Sequence, residues 1–273
     1  MVGKSVLTFG GQQSSSYMAH LEGPLRFKDK VAIITGSGQG IGQSIAKALA
    51  KEGASLLIND IDAEAARKTA EEIKEAFRKE ALFVRTDVRS REDIKSLIEL
   101  CMRHFGQIDI LVNNAGICPL TKIEDITQQE WDEVLNINLR GVFFCSQAVT
   151  PIMKEQRRGK ILNMASLAGK IGGISSGVHY SASKAGVICL TKAFARALAP
   201  FGVTVNAIAP GPIDTQMTQA FPPEVRANLA QTCPLARLGD VQDIAGAALF
   251  LLSDGSKHIT GEILDVNGGL LMD

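Results

Sequence analysis

Residues 31–42 read VAIITGSGQGIG, a β-branched apolar run that ends in a turn with four glycines. A helical pattern follows at once, from Gln43 to Lys51. Glycines let the backbone turn tightly and approach a phosphate, whose charge then meets the free N–H groups and the positive end of the helix. The stretch therefore predicts a strand, a phosphate-binding turn and a helix. Its spacing is Gly-x-x-x-Gly-x-Gly, because Gln43 stands where GxGxxG would place its last glycine.

Alternation of β-branched runs with helical stretches continues along the rest of the chain and predicts an α/β fold with one open parallel sheet. Ser90 with Asp93 and Thr127 with Glu130 match the capping box of a helix start, while Gly53 and Gly106 mark helix ends. Most strand candidates are apolar from end to end, so we expect helices on both faces of the sheet and neither face open to water. The seven predicted strands are Val31–Thr35, Ser55–Asn59, Leu82–Thr86, Ile108–Asn113, Lys160–Met164, Val203–Ile208 and Ile263–Val266.

Composition excludes several classes of function. The 273 residues include 29 basic and 29 acidic side chains, so no bulk field attracts nucleic acid or an anionic membrane. The longest nearly uninterrupted apolar run, residues 244–252, is about half of the roughly 20 residues that a membrane helix needs. Five cysteines without a CxxC pair and four histidines without ligand spacing predict reduced thiols and no metal site.

The first 24 residues differ from the rest of the chain. They are rich in Gly, Ser and Gln, show no sustained period and contain no apolar segment of the kind that a secretory signal needs. We interpret residues 1–24 as a flexible extension, in preference to a cloning remnant, a misplaced start before Met18 or a weak organellar presequence. Residues 25–273 are predicted to form one domain of a cytoplasmic protein.

Asp60 follows the second predicted strand, eighteen residues after Gly42. An acid at about this offset binds the hydroxyls of an adenosine ribose. A 2′-phosphate about 4 Å from the carboxylate would be repelled by roughly 4 kcal/mol at an effective dielectric near 20. No Lys or Arg stands at Ser37, Gln39, Asn59 or Ile61 to offset this repulsion. We therefore predict NAD as the cofactor and disfavour NADP; the alternative is that Asp60 is a turn acid before the helix-capping Asp62.

Three later motifs make the pattern specific, namely Asn113-Asn114-Ala115-Gly116, Tyr180-Ser181-Ala182-Ser183-Lys184 and Pro210-Gly211. With these motifs and the glycine turn, residues 25–273 resemble the short-chain dehydrogenase/reductase superfamily. The resemblance implies a single Rossmann-type, doubly wound domain with a seven-stranded parallel sheet. It also implies a homotetramer formed through the helices around 128–155 and 180–199 and the last strand.

Tyr180 and Lys184 lie four residues apart in a helical stretch, so both point to one face. A neighbouring ammonium favours the phenolate and lowers the phenol pKa from about 10. The resemblance implies that Tyr180 is the acid–base group and that Lys184 also holds the nicotinamide ribose. It further implies that Ser166 orients the substrate oxygen and that Asn138, rather than Asn136, links the lysine to solvent through water. The alternatives are an exposed Tyr/Lys pair and a Ser166 that only caps a turn.

The resemblance also implies a set of cofactor contacts. Asp87 could equally be a strand-end turn residue, and Asn114 a sheet-bracing amide. His179, beside the catalytic tyrosine, is interpreted as lining the pocket or facing a partner, in preference to relaying protons. The implied contacts are Gly36, Ser37, Gln39, Gly40, Ile41, Gly42, Asp60, Ile61, Asp87, Val88, Asn114, Ala115, Gly116, Tyr180, Lys184, Pro210, Gly211, Ile213 and Thr215.

The substrate pocket is expected to be mainly apolar. The proline-broken segment 212–233, with Met217 and Phe221, resembles the family's mobile substrate lid. Cys118, Leu120, Ile171, Pro212 and Met217 suggest the cavity wall.

These expectations indicate an NAD(H)-dependent oxidoreductase that transfers a hydride between the nicotinamide and a small secondary alcohol or ketone. The first alternative is a 3-oxoacyl-carrier-protein or 3-oxoacyl-CoA reductase, acting in reverse as a 3-hydroxyacyl dehydrogenase. Residues 181–191 and 205–215 look very similar to such enzymes. Their biosynthetic form normally prefers NADPH, which Asp60 argues against. The second alternative is a catalytically silent NAD-binding sensor.

Overall fold

The computed structural model describes residues 25–173 and 176–272, so the extension predicted for residues 1–24 lies outside the described residues. It contains one sheet of seven strands, all parallel, in the order β3-β2-β1-β4-β5-β6-β7. The predicted α/β fold and its doubly wound, seven-stranded parallel sheet are confirmed. The strands are β1 Val31–Thr35, β2 Ser55–Asp60, β3 Ala81–Arg85, β4 Ile110–Asn113, β5 Gly159–Met164, β6 Val203–Pro210 and β7 Ile263–Val266.

Ten α-helices within the described ranges connect and cover the strands: α1 Gly40–Lys51, α2 Ala63–Phe77, α3 Arg91–Phe105, α4 Gln128–Leu135, α5 Gly141–Gln156, α6 Leu167–Ile171, α7 Val178–Leu198, α8 Gln216–Gln219, α9 Pro223–Thr232 and α10 Val241–Leu252. A π-helical turn, Asn136–Arg140, joins α4 to α5. Helices α1, α2 and α10 pack on one face of the sheet, and α3, α5 and α7 pack on the other. None of the helices in these ranges is long and apolar enough to cross a bilayer.

The central strands of the sheet are buried, and its two edge strands are partly exposed. Strands β1 and β4 are buried along their whole length, as expected for strands with helices on both faces. The expectation that neither face meets water is wrong for the two edge strands. On β3 the Phe83 side chain is 42% exposed, and every residue of β7 is partly exposed. An edge strand has a neighbour on one side only, so covering helices shield it less completely.

Local signals for helix boundaries are confirmed. The Ser90 hydroxyl accepts a hydrogen bond from Asp93 N at 3.1 Å, and Thr127 accepts one from Glu130 N at 3.1 Å. Gly106 caps α3 with a φ of +73°, a left-handed conformation that suits glycine. Strand bounds match the predicted ones at eight of the fourteen ends and differ by one or two residues at the other six. The carboxyl ends of β1 to β6 face one side, where the site lies.

Candidate active site

One cleft of about 590 Å³ lies at the carboxyl ends of the strands. The glycine turn after β1 forms its base, and the ends of β2 and β3 form one arm. The other arm lies between the start of α7 and the segment that carries α8 and α9. Five charged side chains line the described part of the cleft, namely Asp60, Asp87, Arg89, Glu133 and Lys184.

The glycine turn is shaped to receive a phosphate. Gly36 and Gly40 have φ values of +63° and +59°. A Cβ on Gly42 would lie 2.3 Å from the Gly36 carbonyl oxygen, so α1 can start against the turn only with glycine there. Gln39, the N-cap residue, makes no side-chain hydrogen bond to the first N–H groups of α1. Those donors remain available, and the turn fits the pyrophosphate of a dinucleotide.

Asp60 ends β2 and lines the same cleft. Its Oδ2 accepts a hydrogen bond from Gly38 N at 2.9 Å, and its Oδ1 accepts one from Asp62 N at 3.1 Å. The carboxylate therefore holds the glycine turn and starts the next turn, as the turn-acid interpretation expects, and it faces the cleft; its contact with a ribose stays a prediction. Each carboxylate oxygen can accept more than one hydrogen bond, which leaves capacity for ribose hydroxyls.

The other charged side chains in the described lining of this arm are Asp87, Arg89 and Glu133, which lie close together. Arg89 lies 2.7 Å from Asp87 and 3.5 Å from Glu133. Hydrogen bonds from the Arg89 guanidinium hold the pKa of the Asp87 carboxyl below its usual range. Two carboxylates thus compensate this guanidinium, and it is not a free cation for a phosphate.

Asn114 and Thr35 brace the glycine turn. The Asn114 side chain donates to the carbonyls of Thr35 and Gly36 at 3.1 and 2.8 Å, which supports its interpretation as a bracing amide, although it also lines the cleft. The Thr35 hydroxyl accepts from the backbone N–H groups of Asn114 and Ala115 at 3.0 and 3.1 Å. Thr35 was not among the predicted site residues; its place at the end of a buried strand, directly before the glycines, was the available signal.

Most of the implied cofactor contacts line the cleft, but Ser37 and Gly42 do not. Ser37 is fully buried, and its hydroxyl donates to the Ile34 carbonyl at 2.7 Å. Gly42 packs beneath the turn. Both residues shape the site without facing it. The contacts that do line the cleft are Gly36, Gln39, Gly40, Ile41, Asp60, Ile61, Asp87, Val88, Asn114, Ala115, Gly116, Tyr180, Lys184, Pro210, Gly211, Ile213 and Thr215.

Ser166, Tyr180 and Lys184 come together in the middle of the cleft. Ser166 follows β5 as the N-cap of α6, where its hydroxyl accepts from Ala168 N at 3.1 Å, and it is near enough to Tyr180 to lower the pKa of the phenol against the effect of burial. It is therefore both a cap and a neighbour of the phenol. Tyr180 and Lys184 lie on the first turns of α7, with Lys184 Nζ 5.7 Å from the centre of the tyrosine ring.

Burial shifts the pKa values of Tyr180 and Lys184. It raises the pKa of Tyr180 above its usual range, against the opposing effect of the Ser166 hydrogen bond. The expectation that Lys184 lowers the pKa of the Tyr180 phenol is wrong for the protein without cofactor, because burial raises this pKa. Burial also lowers the pKa of Lys184 to about 8, although its Nζ donates to the Met164 carbonyl at 2.7 Å.

Asn138 is fully buried in the π-helical turn. Its side chain exchanges two hydrogen bonds, both of 2.9 Å, with the backbone N–H and C=O of Ile117, and donates to the Ser183 hydroxyl at 3.2 Å. A Cβ on Gly116 would lie 3.1 Å from Asn138 Oδ1 and 3.6 Å from Lys184 Nζ, so the amide and the ammonium flank the same glycine. Asn136 instead accepts from Arg140 at the surface.

His179 has a different place from the expected one. It is fully buried within the chain and does not line the cleft, so neither a pocket-lining nor a partner-facing histidine describes it. Its Nε2 lies 2.8 Å from Glu130 Oε1, and its ring stacks on Trp131 at 6.4 Å between centroids. The contact joins the start of α7 to α4. Adjacent helix residues point in different directions, which separates it from Tyr180.

The lid segment folds into α8 and α9, with Met217 and Phe221 in the cleft wall as expected. Leu120 does not line the cleft. Leu229 and Leu270 do, and the sequence interpretation did not include them. Leu270 follows Gly268 and Gly269, both with positive φ, and this glycine pair was a usable signal for a tight return of the chain. Across the described ranges, no three His, Cys, Asp or Glu side chains gather as metal ligands.

The chain is similar to known oxidoreductases over most of its length. The profile of the family described as enoyl-(acyl carrier protein) reductase matches residues 36–271. The 3-oxoacyl-[acyl-carrier-protein] reductase FabG of Staphylococcus aureus is 43% identical over 244 residues, which are 89% of this chain and 98% of that protein.

Two solved structures are similar over nearly their whole length. A protein described as a short-chain alcohol dehydrogenase from Sinorhizobium meliloti has a TM-score of 0.86 and 36% identity, with 91% of this chain and 98% of that chain covered. Levodione reductase has a TM-score of 0.85 and 36% identity, with 89% and 98% covered.

Proposed function

Because the chain belongs to the short-chain dehydrogenase/reductase superfamily, we propose that it reduces the keto group of 3-oxoacyl thioesters with NADH and oxidises the corresponding 3-hydroxyacyl thioesters with NAD. It is an oxidoreductase that acts on CH–OH or keto groups. The observation that carries the proposed chemistry is the phenol of Tyr180, beside Ser166 and close to Lys184, in a cleft that starts at the glycine turn.

The thioester substrate is favoured by the 43% identical relative, whose name specifies 3-oxoacyl-[acyl-carrier-protein] reduction. That similarity favours the 3-oxoacyl alternative over the more general secondary-alcohol interpretation. The second candidate is a simple ketone or secondary alcohol, which the names of the two similar solved structures favour.

Side chains of the protein position the substrate carbonyl and donate a proton to its oxygen. Ser166 and Tyr180 line the same part of the cleft, so both hydroxyls can hydrogen-bond to one carbonyl oxygen. The raised pKa of Tyr180 keeps its proton in place at neutral pH, ready for transfer from Oη to the substrate oxygen during reduction. The bound dinucleotide supplies the hydride, or accepts it in the reverse direction. Lys184, whose pKa is about 8, lies where it can return a proton to Tyr180.

Asp60 supports NAD(H) over NADP(H). It is a carboxylate on the arm of the cleft that follows β2, and Arg89, the nearest guanidinium in the described lining, is already paired with Asp87 and Glu133. A 2′-phosphate there would meet net negative charge. Roughly 4 kcal/mol of repulsion at about 4 Å corresponds to a preference of up to about 1,000-fold.

An Asp60→Asn variant tests the cofactor proposal. The amide keeps an acceptor for Gly38 N–H and removes the charge, so the ratio of kcat/KM for NADH to that for NADPH should fall by about 100-fold or more. Asp62→Asn is the matched control, because Asp62 is an exposed helix cap that asparagine replaces well, and its ratio should not change. An NADPH preference in the unaltered enzyme would contradict the proposal.

A substrate comparison tests the reaction. With NADH, we expect faster reduction of a 3-oxoacyl thioester than of an unactivated ketone of the same chain length, measured as kcat/KM from the loss of reduced-nicotinamide absorbance. Faster turnover of the simple ketone would favour the second candidate. Tight NAD binding without turnover of either substrate would favour a nucleotide sensor.

We also propose the homotetramer that the resemblance implies. Large apolar side chains are exposed on the two helices concerned, since Trp131 on α4 and Val178 on α7 are each 41% exposed. Phe250 on α10, a helix that the resemblance does not include, is 45% exposed. Edge strand β7 lies next to α10 in the fold. Burial of these side chains against other copies of the chain would remove them from water.

A further inference from the structure

Charge is distributed unevenly along the cleft. Asp60, Asp87, Arg89 and Glu133 all lie at the arm formed by the ends of β2 and β3 and by α4. Lys184 lies in the middle, where its Nζ donates to the Met164 carbonyl. The other arm, past Ser166 and Tyr180, is the one where a substrate binds if the proposed function holds.

The wall of that substrate arm is apolar. It is formed by Cys118, Ile171, Met217, Phe221, Leu229 and Leu270, with the uncharged polar residues Ser176 and Gln216 beside them. Burial raises the pKa of the Cys118 thiol to about 11, so this sulfur is neutral at neutral pH. No side chain in the described lining of the substrate arm carries a charge.

Cations close to the substrate arm in sequence are held elsewhere. Lys170 of α6 forms an ion pair with Asp265 of β7. Arg226 of α9 pairs with Asp214 at 3.1 Å. Neither Lys170 nor Arg226 lines the cleft. Apart from Lys184 in the middle of the cleft, whose Nζ donates to the Met164 carbonyl, an anionic substrate group that entered this arm would therefore find no guanidinium or ammonium within the described lining.

We propose that the substrate arm accepts only uncharged groups beside the reacting carbon, so that the enzyme acts on 3-oxo esters and thioesters and excludes free 3-oxo acids. The inference rests on the proposed function and narrows its substrate class. In a 3-oxo acid the carboxylate carbon is two bonds from the reacting carbon. When that carbon sits beside Tyr180, a carboxylate that points into the substrate arm lies against the apolar wall. A carboxylate buried without a partner loses hydration that the site does not replace.

Binding of three ligands of one chain length to the NADH-loaded protein tests this inference: 3-oxohexanoate, 3-oxohexanamide and methyl 3-oxohexanoate. The amide is nearly isosteric with the acid and differs mainly in charge. We expect the amide and the ester to bind at least about tenfold more tightly than the acid by calorimetry, and kcat/KM to be higher by about 100-fold. Binding of the acid as tight as that of the amide would overturn the inference.

A pair of variants at Met217 tests whether charge or polarity limits the binding of the acid. Met217→Lys places an ammonium at the partly exposed edge of the arm, whereas Met217→Gln changes the same side chain without adding charge. The lysine should raise the affinity of the acid relative to the amide by about tenfold, and the glutamine should not. An equal effect of both variants would show that polarity, and not charge, limits the acid, which contradicts the inference. If the neutral ligands bind best but none is reduced, the proposed function fails and the charge selectivity stands.

Discussion

Tyr180 and Lys184 are a buried pair, and burial shifts the pKa values of both side chains. Burial raises the pKa of the phenol and lowers that of the ammonium to about 8, so the pair is moved toward its uncharged forms. A protonated phenol suits carbonyl reduction, which needs a proton donor. Alcohol oxidation needs the opposite state, and we expect its rate to rise with pH.

Tyr180→Phe should lower kcat for reduction by about 10² to 10⁴, because it removes the hydroxyl that donates the proton and leaves the ring in place. NADH binding, followed by the fluorescence of the reduced nicotinamide, should change by less than about threefold, since the glycine turn and Asp60 are untouched. Retention of most of the turnover by this variant would refute the role assigned to the phenol.

Lys184 should make stability depend on pH. Its pKa is about 8 in the folded chain against an ordinary value of 10.5, so between these values the unfolded chain binds more protons and the free energy of unfolding rises with pH. From pH 7 to pH 9.5, the wild type should gain about 2 kcal/mol relative to Lys184→Met. Urea denaturation of both proteins at the two pH values measures this difference.

Lys192→Met, on the exposed face of the same helix, is the control for the stability experiment. Its difference from the wild type should stay constant over this pH range. A constant difference for Lys184→Met as well would mean that the ammonium of Lys184 does not pay a desolvation cost in the folded protein.

At the scale of elements, the start of α1 depends on the absence of side chains in the turn that precedes it. A Cβ on Gly42 would meet the Gly36 carbonyl oxygen at 2.3 Å and the Asn114 amide nitrogen at 2.5 Å. Since both atoms belong to the brace of the turn, the turn must shift to make room. The N–H groups that receive the phosphates would shift with it.

Gly42→Ala should therefore destabilise the fold by about 1–3 kcal/mol and weaken NADH binding by tenfold or more. Gly246→Ala is the matched control, because Gly246 lies on the exposed face of α10 and a Cβ there meets no atom of the described residues within 4 Å. The control should leave NADH affinity unchanged in a titration. Equal affinities for all three proteins would disprove the importance of this close approach.

Elements with strong local patterns were predictable. Strands β1 and β7 have the predicted bounds, and the Ser90 and Thr127 caps form as expected, because the residues that specify them are adjacent in sequence. The remaining features depend on tertiary contacts. The π-helical turn is set by the hydrogen bonds of Asn138 to a distant loop, and the burial of His179 by its contact with Glu130 of α4.

The site shows the same division between local and tertiary information. The spacing of Tyr180 and Lys184 is sufficient to place both in one cleft, but the direction of the phenol pKa is not visible in it, since desolvation depends on the walls around the ring. Ser37 is similar. Its position in the turn suggests a phosphate contact, but its hydroxyl points back to the Ile34 carbonyl.

The whole molecule is expected to assemble through its exposed apolar side chains. Phe250→Asp places a charge on the surface of α10 and should split the proposed tetramer into smaller species, as measured by light scattering at several protein concentrations. Phe250→Leu, which keeps the surface apolar, should stay tetrameric. A single assembly size for the wild type and both variants would exclude this helix from any interface.

Asn138 ties distant parts of the molecule together through its paired hydrogen bonds with Ile117 and its contact with Ser183 on the catalytic helix. Such an exchange mimics one rung of a β-ladder, made by a side chain in place of a second strand. The loop at Ile117, which lines the cleft, and the surroundings of the Lys184 ammonium therefore depend on the same side chain. If the proposed function holds, substitutions at Ile117 or Cys118 that break this rung should change substrate preference and proton supply together.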